Sequence, residues 1–162
     1  MQRTLRIIYA STSGHTEFVV DTLAKYLKER DPQMVTTLIR AERAMPEDLT
    51  KDDLTILASS TWNTGSIEGQ LNPHMHAFLM TRAKDMDLRN GAFAVIALGD
   101  YRYFYTAKAS DHLSAFIEHH DGKQVLPSLS IINEPFDQTE RIEHFGDELI
   151  TIMKTLTTKA EG

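Results

Sequence analysis

The chain has 162 residues, a formal net charge of −6 and no cysteine, so it is long enough for one domain with its own core and cannot form disulfides, thiolate metal sites, cysteine-ligated iron–sulfur clusters or a cysteine nucleophile. The negative balance argues against nucleic acid and anionic membranes as partners, because phosphate surfaces reward clustered Lys and Arg. No apolar run approaches membrane-spanning length or the form of a secretory leader, so a soluble, cytoplasmic protein with residues 1–162 in a single domain is expected.

Leu5–Ala10 is an apolar run of strand length, and Phe18, Val19, Val20, Leu23, Ala24 and Leu27 recur at helical spacing as far as Arg30. Asp31-Pro32 ends that helix, since proline disfavours a helical residue before it. Between the two elements lies Ser11-Thr12-Ser13-Gly14-His15-Thr16. Free amides and the positive dipole end meet at such a turn, and Gly14 lets backbone approach a ligand, so the turn can hold an anion. An ordinary hydroxyl N-cap explains the same residues. Neither G-x-x-x-x-G-K-[ST] nor G-x-G-x-x-G occurs in the chain.

Met34–Ile39 is β-rich and modestly hydrophobic, as an outer strand would be, and Arg40–Asp53 is charged enough to read as surface connection. Leu54–Ala58 is a strand apolar on both faces that releases into Ser59–Gly65. A second helix is expected from Leu71 to Met80 or beyond, with Pro73 in its first turn. Gly91–Leu98 is the most apolar run, hence a central strand, and ends in the polar loop Gly99–Tyr105. A helix from about Ala107 to His119 closes at Asp121-Gly122. Gln124–Ile132 reads as a strand, and Pro127 inside it demands a sheet edge. A final amphipathic helix, about Thr139–Lys159, carries Ile142, Phe145, Leu149, Ile150, Met153 and Leu156 on its apolar side. Alternating strands and helices imply an α/β doubly wound parallel sheet with helices on both faces, and ligands in such sheets sit outside the carboxyl ends of the strands.

Three of those ends carry motifs in a familiar order. S-T-S-G-H-T at Ser11–Thr16 resembles the phosphate loop of flavodoxins, T/S-x-T/S-G-x-T; S-T-W-N-T-G-S-I-E at Ser60–Glu68 resembles the loop whose Trp covers the inner flavin face; G-D-Y-R-Y at Gly99–Tyr103 resembles the loop whose Tyr stacks on the outer face. The resemblance spans nearly the whole chain, and the short passage after Gln124 is similar to the short-chain members. Flavodoxins are the standard instance of strand order 2-1-3-4-5 with FMN at the switch between the first and third strands, so a five-stranded sheet of that order comes with the resemblance.

The resemblance further implies that Ser11, Thr12, Ser13, Gly14, His15 and Thr16 surround the FMN phosphate and that Ser60 and Thr61 reach the ribityl chain and phosphate. Trp62 and Tyr103 would sandwich the ring, Asn63 and Thr64 would belong to the same cofactor-binding loop, and Leu98, Gly99, Asp100 and Tyr105 would offer backbone groups to the pyrimidine edge. Aromatic stacking favours a flat heterocycle by about 0.5–1.5 kcal/mol beyond area burial. Electron-rich walls and a negative surface disfavour a second electron. The implied protein is therefore a low-potential, one-electron carrier and not an enzyme, monomeric, with a flavodoxin reductase and acceptor enzymes as redox partners. The rival reading, an FMN-dependent NAD(P)H or quinone reductase of related fold, needs an open flavin face, which Trp62 and Tyr103 would cover.

Some residues depart from the family pattern. Asn63 stands where glycine is frequent, at a peptide that turns its carbonyl toward the flavin on reduction; Asn is the next best residue for positive φ, so a working but costlier flip is expected. His15 replaces a neutral residue: protonated it would add charge-assisted bonding to the phosphate, neutral it would donate one hydrogen bond, and the neutral reading is the expected one. Arg102 would lie beside the flavin edge or stand solvated. Tyr101, Phe104 and Tyr105 fit packing and flavin contact equally well. The pairs His74/His76 and His119/His120 lack the spacing of three or four that helical metal ligands need, so no metal site is expected and these histidines read as solvated.

Overall fold

Alternate side chains of a strand point to opposite faces of a sheet, and a strand apolar on both faces needs cover on both. The computed structural model describes residues 2–64, 67–99 and 108–161, with the backbone alone at 62–64, 67–70 and 157–161. In it β1 (Arg3–Ala10) sends Leu5, Ile7 and Tyr9 into one buried cluster and Ile8 and Ala10 into another. The same split divides β3 (Leu54–Thr64) and β5 (Ala92–Gly99): Ile56, Ala58, Ala94 and Ile96 face the first cluster, Leu57, Phe93, Val95 and Ala97 the second. Helices α1 (His15–Arg30) and α4 (Thr139–Glu161) complete the first with Val19, Val20, Leu23, Leu27, Ile142, Phe145, Leu149 and Met153. Helices α2 (Pro73–Ala77) and α3 (Ala109–His119) complete the second with Met75, Leu113, Phe116 and Ile117.

The strands pair in parallel in the order β2 (Met34–Arg40), β1, β3, β5, and beyond β5 lie two short segments, β6 (Lys123–Gln124) and β7 (Leu129–Ile132). The strand expected over Gln124–Ile132 is thus at the edge, as its proline requires, and Pro127 falls in the gap between its halves. Setting aside the antiparallel strand β4 (Ile67–Leu71) and counting β6 and β7 as one strand, the order is the doubly wound 2-1-3-4-5.

Four expectations need correction. The third strand does not stop at Ala58: it runs to Thr64 and pairs antiparallel with β4 (Ile67–Leu71), which also removes Leu71 from the second helix. Polar composition hid this hairpin, although β-branched and aromatic residues are frequent in it. The helix from Pro73 is short and widens into a π-turn over Phe78–Arg82, with Pro73 at its first position as expected. Arg40–Asp53 is more than surface connection, because its two 3₁₀ turns bury Ala41, Ala44, Asp48 and Leu49. Finally, His120 is not merely solvated. Its ring stacks on Phe116, and its Nδ1 and Nε2 lie 2.7 Å from the Phe116 carbonyl and 2.8 Å from the Lys84 carbonyl.

The end of α3 shows why a dipeptide signal works. Asp121 takes the left-handed conformation at φ 67°, while Asp121 N–H donates to the Glu118 carbonyl and Gly122 N–H to the Ile117 carbonyl, the paired bonds that close a helix. Gly122 serves packing: a Cβ there would come within 3.0 Å of the Phe93 ring.

Candidate functional site

Parallel pairing brings the strand ends together. Ala10 of β1 is level with Ser59 of β3, and Ser59 with Ala97 of β5. The segments that follow, beginning at Ser11, Ser60 and Leu98, therefore start level with one another at the carboxyl edge of the sheet, where β3 and β5 pair once more through Ser60 and Leu98, between elements whose order reverses there.

The first segment turns sharply into α1. Gly14 holds the N-cap position at φ 90°, a left-handed conformation costly to any residue with a Cβ, and no atom lies within 4 Å of where a Cβ would stand. No side chain caps the helix from the N-cap position; instead Ser11 Oγ accepts the N–H of Gly14 at 3.1 Å and of Glu17 at 3.3 Å. One serine thus serves as a cap, so that part of the ordinary explanation holds. The remaining donors are different: among the described residues, the N–H groups of Thr12, Ser13, His15 and Thr16 have no protein acceptor. Partnerless amides at a helix start, with open space beside Gly14, can act as a cradle for an anion.

Arg40 closes this loop from the side, a residue that sequence reasoning passed over. It ends β2 level with Tyr9, and its Nη2 pairs with Glu17 Oε2 at 2.9 Å while Nη1 reaches the Ser11 carbonyl at 3.4 Å. Its guanidinium lies 5.4 Å from the Tyr9 ring centroid. Burial pushes the Tyr9 hydroxyl pKa up, with Glu17, Asp21 and Glu42 adding to the rise and Arg40 opposing it. Burial and Glu17 likewise raise the Asp21 carboxyl, again against Arg40. Only the parallel register of β1 and β2 reveals Arg40, as the last residue of the strand beside the loop-bearing one.

At the second segment Ser59 is fully buried, and its Oγ together with the Ser60 carbonyl accepts the N–H of Asn72, each at 3.1 Å. Asn72 Oδ1 in turn caps α2 by accepting the His74 N–H at 2.9 Å. Thr61 Oγ1 accepts the Ala109 N–H at 3.1 Å, so its hydroxyl anchors the start of α3 and keeps a proton to donate elsewhere. At the third, Leu98 sits in the ladder between Ser60 and Ile131, and the Gly99 carbonyl accepts the Asn133 N–H at 2.7 Å. The side chains of Trp62, Asn63 and Thr64 lie outside the described residues, as do Asp100, Tyr103 and Tyr105 altogether, along with Tyr101, Arg102 and Phe104.

A profile of the family described as Flavodoxin matches residues 7–145. The chain belongs to the flavodoxin family. It is 29% identical over 147 residues to "Probable flavodoxin 2" of Bacillus subtilis, covering 86% of this chain and 89% of that one. It is 28% identical over 127 residues to "Protein MioC" of Escherichia coli O157:H7, covering 78% and 82%. Its fold matches the crystal structure of oxidised flavodoxin 1 from Bacillus cereus with a TM-score of 0.80 at 26% identity, over 91% of this chain and 97% of that one. Flavodoxins bind FMN and transfer electrons to partner proteins.

The residues present fit that cofactor at its phosphate end. The cradle offers several unpartnered N–H donors, hydroxyls on Thr12, Ser13 and Thr16, and open space above Gly14. His15 leaves α1 at its first residue and meets Phe136 edge-on at 5.5 Å between ring centroids, and Phe136 also packs on Phe18 at 4.8 Å. Phe136 is 54% exposed, so His15 is held at the rim by an aromatic neighbour and not sunk in the core.

Proposed function

We propose that this chain is an FMN-dependent, low-potential one-electron carrier, taking electrons from a reductase and delivering them to acceptor enzymes without converting a substrate of its own. The observation that supports this most is the alignment of Ala10, Ser59 and Ala97, which starts three flavodoxin-like segments level with one another beside a set of unpartnered amides. FMN supplies the reversible uptake of single electrons. In this reading, Ser11, Thr12, Ser13, Gly14, His15 and Thr16 hold its phosphate, and Ser60 and Thr61 contact the ribityl chain. Trp62 and Tyr103 exclude water from the two ring faces; Asn63 and Thr64 line the inner side; Leu98, Gly99, Asp100 and Tyr105 orient the pyrimidine edge. A monomer in one domain, working in the cytoplasm, completes the proposal; among the described residues no helix is long and apolar enough to cross a membrane.

A yellow purified protein that releases FMN on denaturation is the first expected result. Stopped-flow mixing with NADPH alone is then expected to leave the flavin oxidised, with reduction appearing only when a flavodoxin reductase is added. Rapid bleaching by NADPH alone would instead establish a reductase.

Asn63 offers a finer test. A glycine at this position removes the Cβ cost of a positive-φ peptide, up to about 1 kcal/mol, so Asn63→Gly is expected to widen the separation between the two one-electron potentials. Potentiometric titration measures that separation, and an unchanged value would remove Asn63 from the redox-linked peptide.

A further inference from the structure

The anion cradle contains no Lys or Arg of its own, and α1 places a carboxylate, Glu17, in the turn that follows it. A phosphate entering the cradle would meet that negative charge across a short distance. Arg40 changes the balance. Its Nη2 holds Glu17 Oε2 at 2.9 Å, and its Nη1 lies 3.4 Å from the carbonyl of Ser11, the residue whose Oγ ties together Gly14 and Glu17. The side chain is one-third exposed and comes from a different strand, so the structural core does not require it there.

We propose that Arg40 is a positioning residue of the phosphate loop: it neutralises Glu17, fixes Ser11 from its carbonyl side, and thereby makes the cradle selective for a phosphorylated flavin. This rests on the FMN reading above. Three contacts converge on Ser11. Its hydroxyl holds the turn through the N–H groups of Gly14 and Glu17, and Arg40 holds its carbonyl, so the backbone that carries the unpartnered amides of Thr12, Ser13, His15 and Thr16 is tied down at Ser11 from both sides of the residue. The planar guanidinium serves both the carboxylate and the carbonyl while lying against the Tyr9 ring, an arrangement that a lysine ammonium cannot copy. Its guanidinium stays charged throughout the physiological range, and Glu17 adds to that preference.

The test compares two ligands that differ only in the phosphate. Apoprotein is titrated with FMN and with riboflavin, following quenching of flavin fluorescence, for the wild type, Arg40→Gln, Arg40→Lys and Glu17→Gln. Arg40→Gln is expected to weaken FMN by about tenfold, the scale of one charge-assisted contact, and to leave riboflavin unchanged. Arg40→Lys is expected to recover part of the loss. Glu17→Gln, which removes the opposing charge and leaves Arg40 in place, is expected to bind FMN at least as tightly as the wild type. Equal losses for both flavins in Arg40→Gln, or no loss for either, would overturn the proposal while leaving the FMN reading intact. A wild-type apoprotein that binds neither flavin would overturn the FMN reading and this inference with it.

Discussion

Gly14→Val is expected to yield a folded protein whose FMN affinity has fallen by about a hundredfold or more, the equivalent of losing two charge-assisted hydrogen bonds. The substitution meets no wall of protein, since no atom lies within 4 Å of the added Cβ. Its cost is in the backbone and in the space it fills. A residue with a Cβ at φ 90° carries about 1–2 kcal/mol of strain, and a β-branched one is less tolerant still. The loop then has two options. It can keep the left-handed turn, with valine methyls filling the open space beside Gly14, or relax and shift the neighbouring amides of Ser13, His15 and Thr16. Either outcome acts on the phosphate more than on the ring, so riboflavin is expected to lose less affinity than FMN. Gly14→Ala, with the strain but little bulk, should fall between the two. Thermal unfolding and flavin titration of the same preparations separate the effects; an FMN affinity within about threefold of the wild type in folded Gly14→Val would remove Gly14 from the cradle.

Much of this arrangement is legible in the sequence, for reasons that also explain what is not. Val19, Val20, Leu23 and Leu27 declare α1 because that helix buries only one face, and Gly91–Leu98 declares a central strand because both faces are covered. Pro127 marks an edge through its missing N–H, and it falls in the interruption between β6 and β7. The hairpin of β3 and β4 was less visible, since outside the sheet proper it has no apolar alternation to show. The buried turns at Ala41, Ala44 and Leu49 were masked by the charges among them, of which Asp48 is itself buried and paired. At the site the asymmetry is similar. Ser11–Thr16 announces itself through composition, as local turn chemistry does, whereas Arg40, Asn72 and Phe136 act at the carboxyl edge through pairings 13 to 121 residues apart in sequence and carry no local mark. Phosphate loops are written in consecutive residues; the groups that brace them are written in the register of the sheet.

Arg6→Met is expected to have the largest effect on stability, about 3 kcal/mol, and almost none on flavin binding. Arg6 lies in β1 four residues before Ala10, which places it roughly 13 Å from the carboxyl edge by the rise of a strand. Its Nε pairs with Asp52 at 2.6 Å and its Nη1 with Asp48 at 3.3 Å, and all three side chains are at most 16% exposed. Methionine replaces the aliphatic stem but abandons two poorly solvated carboxylates to each other. The loss should stay near the low end for a broken buried pair, because Asp48 retains the Met45 N–H at 2.8 Å and Lys51 at 3.3 Å. For a chain of this length such a loss lowers Tm by roughly 6–12 °C. Arg6→Met/Asp52→Asn should recover a substantial part of it, since the second change removes the carboxylate that lost its closest partner. A shift of less than about 2 °C in Arg6→Met would mean that water and Lys51 already satisfy these groups. The flavin affinity of the folded variant separates two roles for charge in one sheet: at the amino edge Arg6 compensates carboxylates that the fold itself buries, whereas at the carboxyl edge Arg40 compensates one that would oppose a ligand. Only the second should alter the preference for FMN over riboflavin.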